Sequence, residues 1–287
     1  MAQAMFASLA ATAALAGGAV DGPALAAACR GKEGWTDAAP PARIRGNVYD
    51  VGTCGIVALL VTSPNGHILL DTGPADAAPL VAANIERLGY RLHDVRYILN
   101  SHEHGDHAGG IAAMQRLTGA TLAVRAAARR TLETGRGDPA DPQFAGLSRI
   151  AAAHVGRVVS DGGVVTLGPL RLTAHATPGH APGSTSWTWN SCEGARCIRF
   201  AYADSVSAIP AGAYRFSAHP AYVATFRASL AKVGALPCDL LITPHPAASR
   251  FYERIAGTEP LIDRAGCRAY ADNGRRALDA RLAEERR

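Results

Sequence analysis

The sequence predicts an α/β fold, and three observations carry that expectation. Short apolar runs ending in turn residues recur along the chain and read as strands, clearest at residues 56–62, 68–70 and 95–99. Between them lie stretches with helical spacing, as at residues 77–88, where Leu80, Ile85 and Leu88 recur before Gly89 closes the helix. At the end of one such strand stands a dense group of histidine and acidic residues, which places chemistry at a strand terminus. With 287 residues, 48% of them hydrophobic, the chain is long enough for one large core.

In chain order, residues 6–20 are apolar and Ala/Leu-rich, and Ala24, Leu25, Ala26, Ala27 and Ala28 suit a signal-peptidase site. Residues 1–28 are therefore expected to be a leader and 29–287 a single domain, although no Lys or Arg precedes the apolar stretch. Residues 29–47 read as irregular, punctuated by Pro40 and Pro41. The strands at 56–62 and 68–70 are joined by Ser63, Pro64, Asn65, Gly66 and His67, with His67 expected in solvent, and Asp71, Thr72 and Gly73 end the second. After the strand at 95–99, residues 111–117 read as a helix, 121–124 as a strand and 126–133 as a helix. Residues 135–146, with Asp-Pro at 138 and again at 141, form a loop that offers Gln143 as a substrate contact. Residues 164–167 and 170–174 flank Gly168 and Pro169 as a hairpin. A second hairpin joins 186–189 to 198–201, and Cys192 and Cys197 bracket its tip, where they can pair locally. A helix at 220–233, a last strand at 239–243 and a charged, Ala-rich helix within 263–287 complete the chain. His154, His175 and His219 have no motif around them and are read as structural.

The chemistry concentrates in residues 101–110. His102, Glu103, His104, Asp106 and His107 all have side chains that ligate metals or move protons, and Gly109 and Gly110 follow them, letting the backbone turn tightly beside the ligands. Alternate side chains of an extended segment share one side, so His102 and His104 converge while Asp106 begins to turn away and His107 points elsewhere. A tetrahedral zinc ion takes about four ligands. This cluster offers more nitrogen and oxygen than one ion can use, and two metals are the natural reading.

This motif resembles that of the metallo-β-lactamase superfamily, dinuclear hydrolases built as a four-layer αβ/βα sandwich. Further stretches fall in the expected order: Leu70, Asp71, Thr72 and Gly73; then residues 177–184 with Pro178, Gly179 and His180; then Ala203, Asp204, Ser205, Val206 and Ser207; and finally Thr243, Pro244, His245 and Pro246. The likeness covers nearly the whole chain after about residue 30 and is greatest to class B β-lactamases of the third subclass, whose zinc sites lack a cysteine ligand. It implies one Zn²⁺ on His102, His104 and His180 and a second on Asp106, His107 and His245, these six residues carrying catalysis. Each ion keeps an open position. A water shared by the two ions then attacks the β-lactam amide of penicillins, cephalosporins and carbapenems, and antibiotic resistance follows. No serine nucleophile is required.

The resemblance assigns Asp71 a hydrogen-bonding role beneath the metal loops. It makes Ser205 and Ser207 hydroxyl donors to a substrate carboxylate, and it sets Trp35 either against the groove or in simple packing. In superfamily thioesterases and lactonases an Asp near residue 204 bridges both metals, whereas the third β-lactamase subclass has a serine there. The chain fits either as Asp204 or as Ser205. A lactonase or thioesterase is thus the nearer alternative, and a non-catalytic zinc-binding protein the more distant one.

Six cysteines, an even number, favour an oxidising, periplasmic or extracellular setting. The resemblance implies a Cys238–Cys267 bridge, which with Cys192–Cys197 leaves Cys29 with Cys54. No C-x-x-C spacing occurs, so a zinc–thiolate site is not favoured. The net charge of +5 comes largely from scattered arginines and makes no nucleic-acid face. No apolar run reaches the roughly 18 residues of a membrane span. The expected partner is a small β-lactam, and the expected working unit a monomer.

Overall fold

Two sheets form, because apolar residues alternate or run unbroken at β spacing. The computed structural model describes residues 18–287. It begins with helix α1 (Gly22–Ala28) and continues into a seven-stranded sheet in sequence order. The strands are β1 (Ala42–Arg45), β2 (Val48–Asp50), β3 (Leu59–Val61), β4 (His67–Leu70), β5 (Val95–Leu99), β6 (Thr121–Arg125) and β7 (Val155–Val159). β1 to β4 pair antiparallel; β4 to β7 pair parallel. The parallel half needs crossovers. α2 (Ala78–Arg87), then α3 (Gly105–Ala108) with α4 (Ile111–Thr118), and then α5 (Ala126–Thr134) supply them.

The second sheet has the order β12-β11-β10-β9-β8. Its strands are β8 (Val164–Leu167), β9 (Leu170–Ala176), β10 (Thr185–Glu193), β11 (Arg196–Tyr202) and β12 (Leu240–Ile242). Only β11 and β12 run parallel, and α6 (Pro220–Gly234) lies between them in the chain. α7 (Phe251–Ile255) and α8 (Gly266–Glu284) follow.

Alternation then builds the layers. Leu59, Val61, Ile68 and Leu70 face Trp187, Trp189, Phe200 and Tyr202 between the sheets. Their neighbours Leu60, Leu69 and Ile98 face the other way, onto Val81, Ile85 and Met114 of the first helical layer. Ala201 and Leu241 face Phe226, Leu230 and Leu278 of α6 and α8. The four-layer αβ/βα sandwich is therefore present. Strands buried on both faces read as continuous apolar runs, which is why β3 and β4 were legible.

Six elements were not read from the sequence: α1 and α3, which lie in the expected leader and in the ligand stretch read as extended, and β1, β2, β7 and α7. β1 and β2 lie in and beside the stretch expected to be irregular, and β7 is hidden because Gly156 and Arg157 interrupt its apolar pattern. α7 is a single short helix after Arg250 and carries no long periodicity. His67 begins β4 instead of lying in solvent; it is buried, with its ring edge-on to Tyr90 at 4.5 Å.

The three disulfides are Cys29–Cys54, Cys192–Cys197 and Cys238–Cys267, the expected pairing. Of the expected leader, residues 1–17 lie outside the described residues. Residues 22–28 form α1, whose N-cap Asp21 accepts a hydrogen bond from the Ala24 N–H at 2.8 Å. Leu25 of this helix is fully buried in the inter-sheet core beside Phe251 and Ile255.

Candidate metal centre

The ligand-rich stretch leaves β5 at Leu99 and is anchored from below by Asp71. That residue is fully buried with a positive φ of 60°, a conformation Asp tolerates better than most side chains. Its carboxylate accepts the Ser101 N–H at 2.7 Å, the Ser101 hydroxyl at 2.6 Å and the Tyr202 hydroxyl at 2.8 Å. This is the supporting role expected of Asp71. His104 is extended, but Asp106 and His107 stand on the one-turn helix α3. That turn sets them into a second cluster, with the His107 ring still 4.4 Å from that of His102.

The following glycines owe their place to close approach. A Cβ on Gly109 would lie 2.3 Å from the Gly105 carbonyl oxygen and 2.8 Å from the Ala75 nitrogen. One on Gly110 would meet the Thr72 carbonyl oxygen at 2.8 Å. Both contacts are to backbone. Gly109→Ala is expected to cost about 1–3 kcal/mol of stability, the usual range for overpacking, and to lower metal retention. Thermal melting together with metal analysis of the purified variant checks this; an unchanged melting temperature refutes it.

His102, His104 and His180 converge, with ring centroids 4.6, 4.7 and 5.0 Å apart. Each ring is held by one nitrogen. His102 Nδ1 is 2.8 Å from Asp204 Oδ1, and His104 Nε2 is 2.8 Å from Asp141 Oδ2. His180 Nδ1 meets the Ser207 carbonyl oxygen at 3.1 Å and its hydroxyl at 2.9 Å. The remaining nitrogens, Nε2 of His102, Nδ1 of His104 and Nε2 of His180, form the inner face. His102 Nε2 is buried without any protein partner. Burial drives both His102 and His180 well below the usual imidazole pKa, so their lone pairs stay free.

A second group adjoins the first. Asp106 Oδ2, His107 Nε2 and His245 Nε2 form a triangle with sides of 3.2, 3.3 and 3.1 Å. Ligands held about 2.0–2.1 Å from a tetrahedral ion lie roughly 3.3 Å apart, so the spacing fits a metal. Electrostatics agree. Burial raises the Asp106 carboxyl, yet His107 and His245 outweigh it and hold the group far below the carboxylate range. Burial likewise lowers His107, but Asp106 and Asp71 outweigh that and push it up to about 10. The carboxylates draw positive charge to this point, and a divalent cation meets that demand. His102 also lies close to Asp106 and His107, so the two groups share a wall.

Above them is a groove of about 640 Å³ between Trp35, Gln143 and Ile209, over Asp106, His180 and His245. Trp35 is half-exposed, with its ring 6.4 Å from that of His245, so it walls the groove. Gln143 Nε2 lies 3.4 Å from His180 Nε2. Ser207 reaches the groove, but its hydroxyl is engaged with His180 Nδ1. Ser205 is buried and is not part of the groove wall. A cavity of about 660 Å³ lies on the far side of Trp35, beside Arg30, Cys54 and Tyr252, and brings no further ligand cluster together.

Asp204 sits behind His102, on the nitrogen remote from the inner face. Asp141 was missed by sequence reasoning, because Asp-Pro reads as a turn; the available signal was a carboxylate in the loop expected to face the groove. His175 pairs with Thr188, and His219 stacks on Tyr214, both away from the two groups. Ser229 and Lys232 have the S-x-x-K spacing of serine β-lactamases. Ser229 donates to the Pro178 carbonyl at 2.6 Å while Lys232 pairs with Asp161 at 2.7 Å, so they form no activated nucleophile.

Comparison with known proteins gives a consistent setting. The family described as the metallo-beta-lactamase superfamily matches residues 51–245. The metallo-beta-lactamase MIM-1 from Novosphingobium pentaromativorans is 51% identical, with a TM-score of 0.90 over 91% of this chain and 97% of that one. MEM-A1, a subclass B3 metallo-beta-lactamase from a soil metagenome library, is 42% identical, with a TM-score of 0.85 over 88% of this chain and 98% of that one. A hydroxyacylglutathione hydrolase of Anaeromyxobacter dehalogenans is 33% identical over 132 residues, 45% of this chain and 40% of the relative. The chain spans about half the length of the curated relatives it matches.

Proposed function

The chain belongs to the metallo-β-lactamase superfamily, and from that premise we propose that it is a dizinc β-lactamase of subclass B3, opening the β-lactam ring of penicillins, cephalosporins and carbapenems. In this reading His102, His104 and His180 hold one zinc ion, and Asp106, His107 and His245 hold the other. When bound, the ions supply Lewis acidity, lowering the pKa of a water at the site and polarising the lactam carbonyl. The chain's own residues make that possible. Asp204, Asp141 and Ser207 keep three imidazoles turned so that free lone pairs face inward. Asp106 remains ionised between two imidazoles. Trp35 and Ile209 shield one side of the groove from water, and the Gln143 amide offers a donor to bound substrate.

The observation that carries the reading over a lactonase or thioesterase is the position of Asp204. Its Oδ1 is committed to the outer nitrogen of His102, and a carboxylate behind a ligand does not stand between two metals. An open groove above both groups favours catalysis over metal storage. Both groups and the groove are complete within one chain, which supports a monomer as the working unit. Three disulfides favour an oxidising compartment, so export to the periplasm or beyond belongs to the same proposal, with β-lactam resistance of the host as its consequence. Because Leu25 is a core residue, a cleaved leader ends ahead of α1 in this proposal.

The test is carbapenem hydrolysis by the purified protein, followed at the ring chromophore, before and after chelation and zinc return. Turnover lost on chelation and restored by zinc is expected. A chain holding two zinc ions that hydrolyses no carbapenem, penicillin or cephalosporin would sink the reading and direct attention to thioesters and lactones.

A further inference from the structure

We propose that Asp141 is a positioning residue with two linked tasks: its carboxylate fixes the tautomer of His104 and ties the loop that walls the groove to the first metal centre. The inference rests on His104 being a ligand, as proposed above. Asp141 is 2% exposed and lies 37 residues along the chain from the histidine it meets. One oxygen, Oδ2, is 2.8 Å from His104 Nε2; the other, Oδ1, accepts the backbone N–H of Gln143 at 2.7 Å. The Asp141 backbone is itself fastened, since its N–H donates to the Asp138 carbonyl at 2.9 Å and its carbonyl accepts from Phe144 at 3.0 Å. One further bond, from the Ala211 N–H to the Pro142 carbonyl at 2.9 Å, joins this loop to the segment that carries Ile209.

The chemistry follows from what a carboxylate does. An ionised Asp accepts hydrogen bonds and donates none, so the His104 nitrogen facing it must carry the proton. With the proton on Nε2, the Nδ1 lone pair is free on the inner face. The opposite tautomer would set two acceptors against each other at 2.8 Å in a buried site, an arrangement the fold does not sustain. The same side chain positions Gln143, whose Nε2 is 3.4 Å from His180 Nε2. Displacing Asp141 therefore moves the groove wall and frees a ligand ring together.

Asparagine separates the two tasks. If its oxygen keeps the Gln143 N–H, its amide group faces His104 Nε2 and forces that nitrogen to accept, which moves the proton onto Nδ1. If it flips, its amide opposes the Gln143 N–H. Asn therefore keeps both partners only with His104 in the opposite tautomer.

The experiment uses the metal-free full chain. Burial lowers the His104 pKa, but Asp141 outweighs it and raises the value, so imidazole ¹⁵N correlation spectra are recorded at alkaline pH, where the ring is neutral. The parent is expected to show the His104 proton on Nε2, and Asp141→Asn to shift it or populate both tautomers. Chelator competition with zinc alone should show affinity lowered by roughly 10–100-fold in the variant. Amide exchange in residues 138–144 should quicken. A parent spectrum with the proton on Nδ1 overturns the proposal whether or not the variant folds, and so does an Asp141→Asn chain with unchanged zinc affinity and unchanged tautomer. His104→Ala tells the two readings apart. If it binds two zinc ions as tightly as the parent, the ligand assignment itself fails; if it loses one while Asp141→Asn changes nothing, only the positioning role fails.

Discussion

Asp106→Ala is expected to lower kcat/KM on β-lactams by roughly 10²–10³-fold, because it removes the one carboxylate ligand proposed for the second ion. A metal's stabilisation of developing charge amounts to several kcal/mol, and each 1.4 kcal/mol or so is tenfold in rate. Removing the side chain also leaves His107 and His245, with their Nε2 atoms 3.1 Å apart, without the charge that draws a cation between them. Metal analysis should find close to one zinc ion per chain instead of two. Far-UV circular dichroism should be unchanged, since Asp106 belongs to none of the three apolar clusters. Asp106→Asn keeps the shape and loses the charge, so it should fall between the two. Full turnover with a single zinc ion in the Ala variant would show that the second centre is dispensable.

Trp187→Ala is expected to cost about 3–5 kcal/mol, enough to remove a large part of the stability of an ordinary domain. Trp187 is fully buried and lies between Ala174 of β9 and Tyr202 of β11 in the register of the second sheet. Its indole N–H donates to the Asn100 carbonyl at 2.9 Å, across the core from its own sheet. Asn100 is the last residue before the ligand loop. Trp187→Phe therefore separates packing from polarity: it keeps most of the ring but leaves the Asn100 carbonyl unpaired, for about 1–3 kcal/mol. Thermal or urea denaturation of the two variants measures both terms. A Trp187→Phe variant as stable as the parent would mean that the hydrogen bond contributes nothing.

The ligand stretch was legible because its residue types have few other reasons to lie so close together, and because a central strand buried on both faces is an unbroken apolar run. His180 and His245 were legible only through the resemblance, since nothing in a lone histidine between prolines or glycines says which cluster of side chains it joins. The placing of Asp106 and His107 on a helical turn was not legible: extended alternation and a single turn of helix both separate them from His102 and His104, and four residues carry no period. Asp141 was out of reach for another reason. Its partner is distant in sequence, and its local pattern already had a sufficient explanation as a turn. Asp204 illustrates the same limit, because the choice between a bridge and a support depends on which nitrogen of His102 it meets. β1 and β7 were lost where Pro, Gly or Arg breaks the apolar rhythm that a backbone ladder does not itself require.

The packing of α1 sets an order of events in synthesis. Gly22 lies so close to Ile255 that a Cβ on it would stand 2.0 Å from that residue's carbonyl oxygen, and Leu25 fills the same core as Phe251. A ribosome makes α1 before α7, the surface that receives it, which follows the strands of both sheets in the chain. α1 therefore gains this part of its cover only after both sheets have been made, although β1 and the Cys29–Cys54 bridge can hold it earlier. Its docking on α7 is a non-local contact of the kind that slows folding.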